Sequence, residues 1–262
     1  MEKAVLVGKI ADLEEAAGYD RLYFGVEFCE IKIPTPDEVT AALAFADDNG
    51  LSFTLVTPYV TDRGLAAIQK AAGILPHGGG AEVVVNDYGA LSLIRDIRPD
   101  LNPVFGRLLT KQKRGFGVSA YRNDAPPALT AHWRLANIDT PALRSYLESL
   151  DISRVELDNL AGGFDSDLRG SGMKGSLYHP YGYVTTTRYC PWAFNGTGWP
   201  NLKGVCGRPC LRGMIEERGE AFSQALYLAG NAQFYENKAL PDEEELTGKG
   251  IDRIIYEPDL PV

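Results

Sequence analysis

Four cysteines are the residues of this chain best suited by type and spacing to do chemistry. Cys29 stands alone near the start, whereas Cys190, Cys206 and Cys210 lie together late in the sequence. Four thiolates complete one metal or iron–sulfur site with no cysteine left over. Glycines and prolines flank the late three and favour an irregular loop that could surround such a group. The alternative is four independent buried thiols, because free cysteine packs as a small apolar side chain.

The spacing of the cysteines distinguishes two kinds of site. Structural zinc sites usually draw on two close cysteine pairs within one small module. Here one cysteine is far from the others, and the closest pair, Cys206 and Cys210, has three residues between its members. Ligands spread along a chain suit an iron–sulfur cluster better, because its iron atoms lie apart and take thiolates from several directions. Zinc is the alternative.

Composition and charge limit the class of protein. The 262 residues are 45% hydrophobic and 23% charged, which predicts a single domain over 1–262. We expect a cytoplasmic protein, because no apolar run is long enough to be a transmembrane segment and no signal peptide is recognisable. In that reducing compartment a thiolate site explains the cysteines better than disulfides do. The net charge of −9 disfavours nucleic acid and favours a small-molecule substrate or a protein partner.

One basic segment departs from this acidic balance. The run Lys111-Gln112-Lys113-Arg114 could meet an anionic group. Short charge runs are more often solvated loops, and that interpretation is favoured here.

Short β-branched segments alternate with helical patterns along the chain. Arg21–Gly25 is a predicted strand, and Thr35, Pro36 and Glu38 form the start signals of a helix that runs toward Gly50. Two more strand–helix units follow, and further strands are predicted at 103–108, 132–136, 154–157, 181–187, 225–229 and 253–256. The alternation predicts an α/β fold, a TIM-barrel-like (β/α) barrel that is either complete or distorted. A doubly wound open sheet is the alternative, but no Gly-x-Gly-x-x-Gly follows the first strand.

The C-terminal ends of the strands are where such a barrel carries its site. Cys29 follows the strand Arg21–Gly25 and Cys190 follows the strand 181–187, so we expect the two to meet there, with a cysteine-bearing loop at 188–213. The same end should receive four polar residues that we predict to bind substrate: Glu27, Asn86, Asp87 and Arg188. Asn86 and Asp87 could equally cap the following helix, and Arg188 could form a structural ion pair.

Signatures of hydrolases do not stand out. Gly-x-Ser-x-Gly, His-Glu-x-x-His and a Walker loop are absent from the sequence. The three histidines are scattered, and His179, close before the cysteine loop, has the best functional claim among them. The catalytic residues are therefore unknown at this stage.

Several segments together carry a family resemblance. Leu22–Cys29 joins a strand to an isolated cysteine, and Val85–Leu91 ends a strand in an Asn-Asp corner. Tyr183–Cys190 leads into the late cysteines, and Leu228–Asn231 forms a later short signature. In these features the chain resembles the collagenase-like peptidases of unknown catalytic type (peptidase family U thirty-two), and within that family the UbiU- and UbiV-like iron–sulfur branch.

The resemblance implies a function and a cofactor. It implies a [4Fe-4S] cluster on Cys29, Cys190, Cys206 and Cys210, and a part in oxygen-independent hydroxylation of a small or lipophilic molecule, alone or with a related protein subunit. The segment between Cys190 and Cys206 is longer than this branch leads us to expect, so no particular substrate follows. Two further interpretations stay open: a non-catalytic iron–sulfur or zinc scaffold whose partner performs the chemistry and, less favoured, a peptidase.

Overall fold

Eight parallel strands close into a barrel at the centre of the molecule. The computed structural model describes residues 1–78, 80–114, 125–188, 190–193, 206–218 and 224–261. Around the barrel the strands are β1 (Glu2–Val7), β2 (Arg21–Gly25), β3 (Ser52–Val56), β4 (Glu82–Val85), β5 (Asn102–Phe105), β6 (Arg154–Asp158), β7 (Lys174–His179) and β12 (Ile251–Tyr256). The predicted barrel is therefore confirmed, and the open doubly wound sheet is wrong.

Helices connect most of the barrel strands. They are α1 (Pro36–Asp48), α2 (Asp62–Ala72), α3 (Tyr88–Ile97), α4 (Pro127–Trp133), α5 (Pro141–Ser149) and α6 (Glu243–Gly248). The start of α1 is as predicted, because the Thr35 hydroxyl accepts from the Glu38 amide and the Glu38 carboxylate accepts from the Thr35 amide. A 3-10 helix, Ile10–Ala16, joins β1 to β2. The connection 159–173 between β6 and β7 contains no helix, which makes the helical layer incomplete at that point.

A second sheet is inserted between β7 and β12. It is antiparallel and consists of β8 (Tyr181–Thr186), β9 (Ile215–Glu217), β10 (Leu226–Ala229) and β11 (Ala232–Glu236), in the order β8-β11-β10-β9. The segments 181–187 and 225–229 are thus strands as predicted, but strands of this insert and not of the barrel. The chain leaves the barrel at the end of β7, where Pro180 has no amide to donate to a neighbouring strand.

Two further predictions of strands need correction. Segment 132–136 is not a strand, because Pro126 and Pro127 begin α4, which runs through Trp133, and β5 pairs directly with β6. Two barrel strands, β1 and β7, were not predicted from the sequence, and β7 begins at the end of the glycine-rich stretch 161–175. Gly175 is required there, since a Cβ at this position would lie 2.8 Å from a side-chain atom of Ile251.

The apolar core lies on both sides of the barrel wall, and its two main parts illustrate this. The larger one fills the space between barrel and helices, and the strand residues that face it include Val83, Phe105 and Leu157. The other lies inside the barrel and contains Tyr23 and Tyr178, both fully buried. Alternate residues of each strand therefore face opposite sides, as the period of a β-strand requires.

Buried ion pairs close the barrel interior at its N-terminal end. Arg253 donates to Glu82 at 2.7 Å, to the Tyr23 hydroxyl at 2.6 Å and to Glu2 at 2.6 Å. Arg21 also donates to Glu2, at 2.7 Å. These polar groups satisfy one another's hydrogen bonds, so the N-terminal end of the barrel is closed by paired side chains. Barrels of this kind carry their sites at the opposite, C-terminal end.

The insert packs on the C-terminal end of the barrel through aromatic side chains. Phe28, which follows β2, lies 5.1 Å from Phe234 of β11 and 5.5 Å from Tyr183 of β8 between ring centroids. Leu108 and Ala232 complete this buried cluster. Among the described residues, no helix has the length and apolar character required to span a membrane.

Candidate functional site

The four cysteines line one cavity of about 400 Å³. Cys29 reaches it from the loop after β2, at the C-terminal end of the barrel, whereas Cys190, Cys206 and Cys210 come from the segment between β8 and β9. The structure therefore brings together residues that lie far apart in sequence. Cys190 arrives from a strand of the insert, not from a barrel strand as the sequence suggested.

The thiols influence one another's ionisation. Burial raises the pKa of Cys29, and the neighbouring thiols of Cys190 and Cys206 raise it further. Burial likewise raises the pKa of Cys190, with Cys210 and Cys206 adding to the effect. Burial therefore favours the protonated thiols of Cys29 and Cys190 over their thiolates. Within the described ranges, no three His, Cys, Asp or Glu side chains are grouped closely enough to hold a metal ion, and the ligand role of the cysteines stays a prediction.

Asn231 joins the segments that carry the cysteines. It lies in the turn between β10 and β11, and its side-chain amide donates to the Phe28 carbonyl at 2.5 Å and to the Thr187 carbonyl at 2.9 Å. Phe28 immediately precedes Cys29, and Thr187 lies three residues before Cys190. The same amide nitrogen lies 3.0 Å from the Tyr59 hydroxyl. Asn231 thus fixes the loop after β2 against the loop after β8.

Arg208 provides a second connection between the cysteine segments. Its guanidinium donates to the carbonyl of Ile31 at 3.1 Å, which links the segment of Cys206 and Cys210 to the segment of Cys29. Arg208 itself has a φ of 51°, in the left-handed region that few side chains adopt. The backbone around the late cysteines is therefore turned sharply at this residue.

A second cavity of about 640 Å³ adjoins the cysteine cavity. Tyr59 and Arg188 line both cavities and form the wall between them. Three more cations, Lys111, Lys113 and Arg114, line the second cavity. We call it the cationic cavity. The basic run that was interpreted as a solvated loop therefore borders a concave surface directly after β5.

Asn86 and Asp87 act first as structural residues. The Asn86 side chain is buried, donating to the Thr57 carbonyl at 3.0 Å and accepting from the Leu108 amide at 3.1 Å, although it also lines the cationic cavity. Asp87 caps α3, since its carboxylate accepts from the Gly89 amide at 2.7 Å. A substrate-binding role for these two residues stays a prediction.

Among the residues that the structure describes, Arg188 has only weak partners. Its guanidinium lies 3.8 Å from the Asp87 carboxylate and 5.4 Å from the centre of the Tyr59 ring, and its side chain is 56% exposed. An exposed pair at that distance contributes little to stability. Arg188 is therefore available to a bound molecule at the junction of the two cavities.

Glu27 belongs to a buried ion network beneath the cavities. Arg107 donates to Glu27 at 3.0 Å, to Asp158 at 2.9 Å and to Glu257 at 2.5 Å, and all four side chains are fully buried. Burial raises the pKa of Glu27, and it raises that of Glu257 to about 8. Binding of substrate by Glu27 stays a prediction, because its partner in the structure is Arg107.

Asp158 connects this network to the cationic cavity. One of its oxygens accepts from Arg107, and the other accepts from Arg114 Nε at 2.8 Å. The Arg114 guanidinium also stacks over the Tyr183 ring, 4.0 Å from its centre. The network therefore holds a cation of the cavity wall in a fixed position.

A separate buried carboxyl lies deeper in the barrel. Glu156 is fully buried, and the Tyr178 hydroxyl donates to one of its oxygens at 3.0 Å. The other oxygen has no hydrogen-bond partner within the described part of the chain. Burial, with the nearby Glu27 carboxylate, raises the pKa of Glu156 to about 8. Glu156 and Asp158 alternate in β6 with Val155 and Leu157, which pack toward the helices, and so face the barrel interior.

Sequence reasoning did not single out Arg107, Tyr59 or Asn231 as site residues. Arg107 gave no local signal, because the predicted strand 103–108 included it, whereas β5 ends at Phe105 and places Arg107 at the site end. Asn231 was noticed only as part of a short signature. Its three hydrogen-bonding partners come from distant parts of the chain, which no local pattern reveals.

The fold and the site define a (β/α)-barrel protein with a cysteine-lined cavity beside a cationic one. No family model and no curated protein matches the sequence. Among solved structures, the chain is similar to an Oleispira antarctica phosphodiesterase in complex with the product sn-glycerol-3-phosphate. The two are 14% identical with a TM-score of 0.43, and the match covers 68% of this chain and 83% of that chain.

Proposed function

We propose that this chain is a [4Fe-4S] protein of the U thirty-two type that acts in oxygen-independent hydroxylation of a small molecule, alone or with a related protein subunit. The observation that carries the proposal is the single cavity lined by Cys29, Cys190, Cys206 and Cys210. The resemblance of the cysteine segments to that family supplies the reaction class. The proposed location is the cytoplasm, where thiols stay reduced.

The donor set fits a cluster in number and chemistry, and the cavity has room for one once the thiols draw closer together than they lie here. Four thiols are the usual ligands of a [4Fe-4S] centre. The cavity of about 400 Å³ far exceeds the roughly 30 Å³ that one water molecule occupies in the liquid, so it can hold a group larger than one ion. Arg63, Arg188 and Arg208 also line it and would offset the negative charge of the thiolates.

The roles of the protein residues follow from their positions. The cysteines would hold the cluster, which when bound supplies an electron carrier. Tyr59 and Arg188 lie between the cluster cavity and the cationic cavity, so a molecule in the latter would be held beside the metal centre. The insert packs on this end of the barrel and supplies one side of both cavities.

The cofactor is tested by isolating the protein without oxygen. We expect brown protein with broad absorption near about 400 nm and roughly four irons per chain. Each single replacement of Cys29, Cys190, Cys206 or Cys210 by Ser should lower the iron content, whereas the control Ala193→Ser, at the wall of the same cavity, should retain it. Colourless protein that contains stoichiometric zinc would overturn the cluster and support a zinc scaffold.

A non-catalytic iron–sulfur scaffold is the second candidate. It is favoured by the lining of the cavity, because four cysteines would occupy the four iron corners and leave none open to substrate. Reduction with dithionite and reoxidation, followed by electron paramagnetic resonance, separates the two functions. A reversible signal supports a cluster that takes part in the chemistry, whereas a cluster that dithionite does not reduce supports the scaffold.

A further inference from the structure

We propose that the cationic cavity is a binding site for a small organic anion that carries a carboxylate or a phosphate. The proposal deepens the proposed function, because it names the class of molecule that would be held beside the cysteines. It favours a small charged molecule over a neutral lipophilic one. The cavity volume, about 640 Å³, lies within the roughly 300 to 1,000 Å³ typical of small-molecule sites.

The first argument is the charge of the cavity wall. Lys111, Lys113, Arg114 and Arg188 line it, and none of its described lining residues is acidic. The whole chain carries a net charge of −9, so this concentration of positive charge runs against the overall balance. Like charges crowded around a cavity are relieved by an anion that enters it.

The second argument concerns how these cations are held. Arg114 is fixed by Asp158 and by the Tyr183 ring, and Lys111 donates to the carbonyl of Leu108. Burial and the nearby Arg114 lower the pKa of Lys111, as expected for a cation without a compensating anion. Lys113 is exposed and free to approach a ligand. Arg114 and Lys111 are thus held in place before a ligand binds, whereas Lys113 can adjust to the ligand.

The third argument is the mixture of other groups in the wall. Leu108 and the rings of Tyr59 and Tyr183 provide apolar surface for the body of an organic molecule, and the hydroxyl of Thr185 can donate to an oxyanion. Arg188 stands where this cavity meets the cysteine cavity. An anion held by Arg188 would therefore lie against the proposed cluster.

Matched probes test the charge requirement. Binding of benzoate, phenyl phosphate and the neutral benzamide to protein isolated without oxygen is measured by titration calorimetry. We expect one or both anions to bind at least tenfold more tightly than benzamide, and raised salt to weaken them. Tighter binding of phenyl phosphate than benzoate assigns the site to phosphates, and the reverse assigns it to carboxylates.

Variants locate the site. Lys113→Gln and Arg188→Gln should each weaken binding of the preferred anion roughly three- to tenfold, whereas Lys70→Gln, an exposed lysine of α2 remote from the cavity, should not change it. The proposal would be overturned by any of three results: benzamide binds as tightly as the anions, no probe binds, or the three variants have equal effects. Anion binding by colourless protein would overturn the cluster alone, and brown protein that binds no anion would overturn the anion site alone.

Discussion

Asn231, which lines the cysteine cavity, shows how one side chain can organise a site by joining its segments. Its amide donates to carbonyls beside Cys29 and before Cys190, so it controls the distance between two segments that the sequence keeps far apart. A hydrogen bond of this kind contributes about 1 kcal/mol to stability, and more when its loss leaves buried carbonyls without a partner.

Replacing Asn231 should loosen the cysteine cavity. In Asn231→Ala we expect release of iron to a chelator to be faster by about tenfold, because the loops after β2 and β8 lose their common donor. The rate is followed by absorbance without oxygen, beside the melting temperature. The control Asn237→Ala removes a similar amide, which donates to the Asn159 carbonyl at 3.1 Å away from the cysteines. Equal release rates in both variants would show that Asn231 does not position the cysteines.

The buried carboxyl of Glu156 should make the free energy of unfolding decrease as pH rises. Its pKa is about 8 in the folded protein, against an ordinary value of 4.5, so the folded state holds the proton more tightly. Stability therefore falls as pH rises from about 4.5 to about 8. Glu156→Gln imitates the protonated carboxyl and should remove this loss, which amounts to on the order of 4 kcal/mol at pH 8.

Denaturant unfolding at several pH values between 5 and 8 checks this prediction. The advantage of Glu156→Gln over the unmodified protein should grow with pH. The control Glu148→Gln, at an exposed position of α5, should show no such trend. A difference that stays constant with pH would mean that Glu156 is ionised in the folded protein throughout.

At the scale of elements, sequence patterns predicted the features that depend on neighbouring residues alone, such as single strands and helix caps. The strand β2 and the cap of α1 are as expected, because strand propensity and capping are encoded within a few residues. The sheet to which β8 belongs was not predictable, since its residues have strand character in either sheet. Only the pairing of β8 with the distant β11 decides it.

The contact between the barrel and the insert should be essential to the site. Phe234 of β11 is fully buried against Phe28, next to Cys29. Phe234→Ala should destabilise the protein by roughly 3 to 5 kcal/mol and also lower its iron content, because the cavity lies beside this contact. The control Phe45→Ala, at a partly buried position of α1, should cost less stability and leave iron unchanged. Full iron content in Phe234→Ala, measured by colorimetric assay, would contradict this.

At the scale of the whole molecule, the alternation of strands and helices was sufficient to predict the barrel. The end of the barrel that carries the site was also predictable, because Cys29, Asn86 and Asp87 follow barrel strands there. The two adjoining cavities could not be predicted from the sequence. Their shared wall combines Tyr59, from the loop after β3, with Arg188, from the insert. Such a wall exists only after the insert has packed on the barrel.

The cavity shared by barrel and insert has a mechanical consequence. A group bound by both Cys29 and Cys190 would act as a crosslink that closes a loop of about 160 residues, and a crosslink over such a length restricts the unfolded chain by roughly 4 to 5 kcal/mol on the scale used for disulfides. Oxidative loss of the group would then unfasten the insert from the barrel. Damage by oxygen would therefore weaken the packing of the insert on the barrel as well as abolish the reaction.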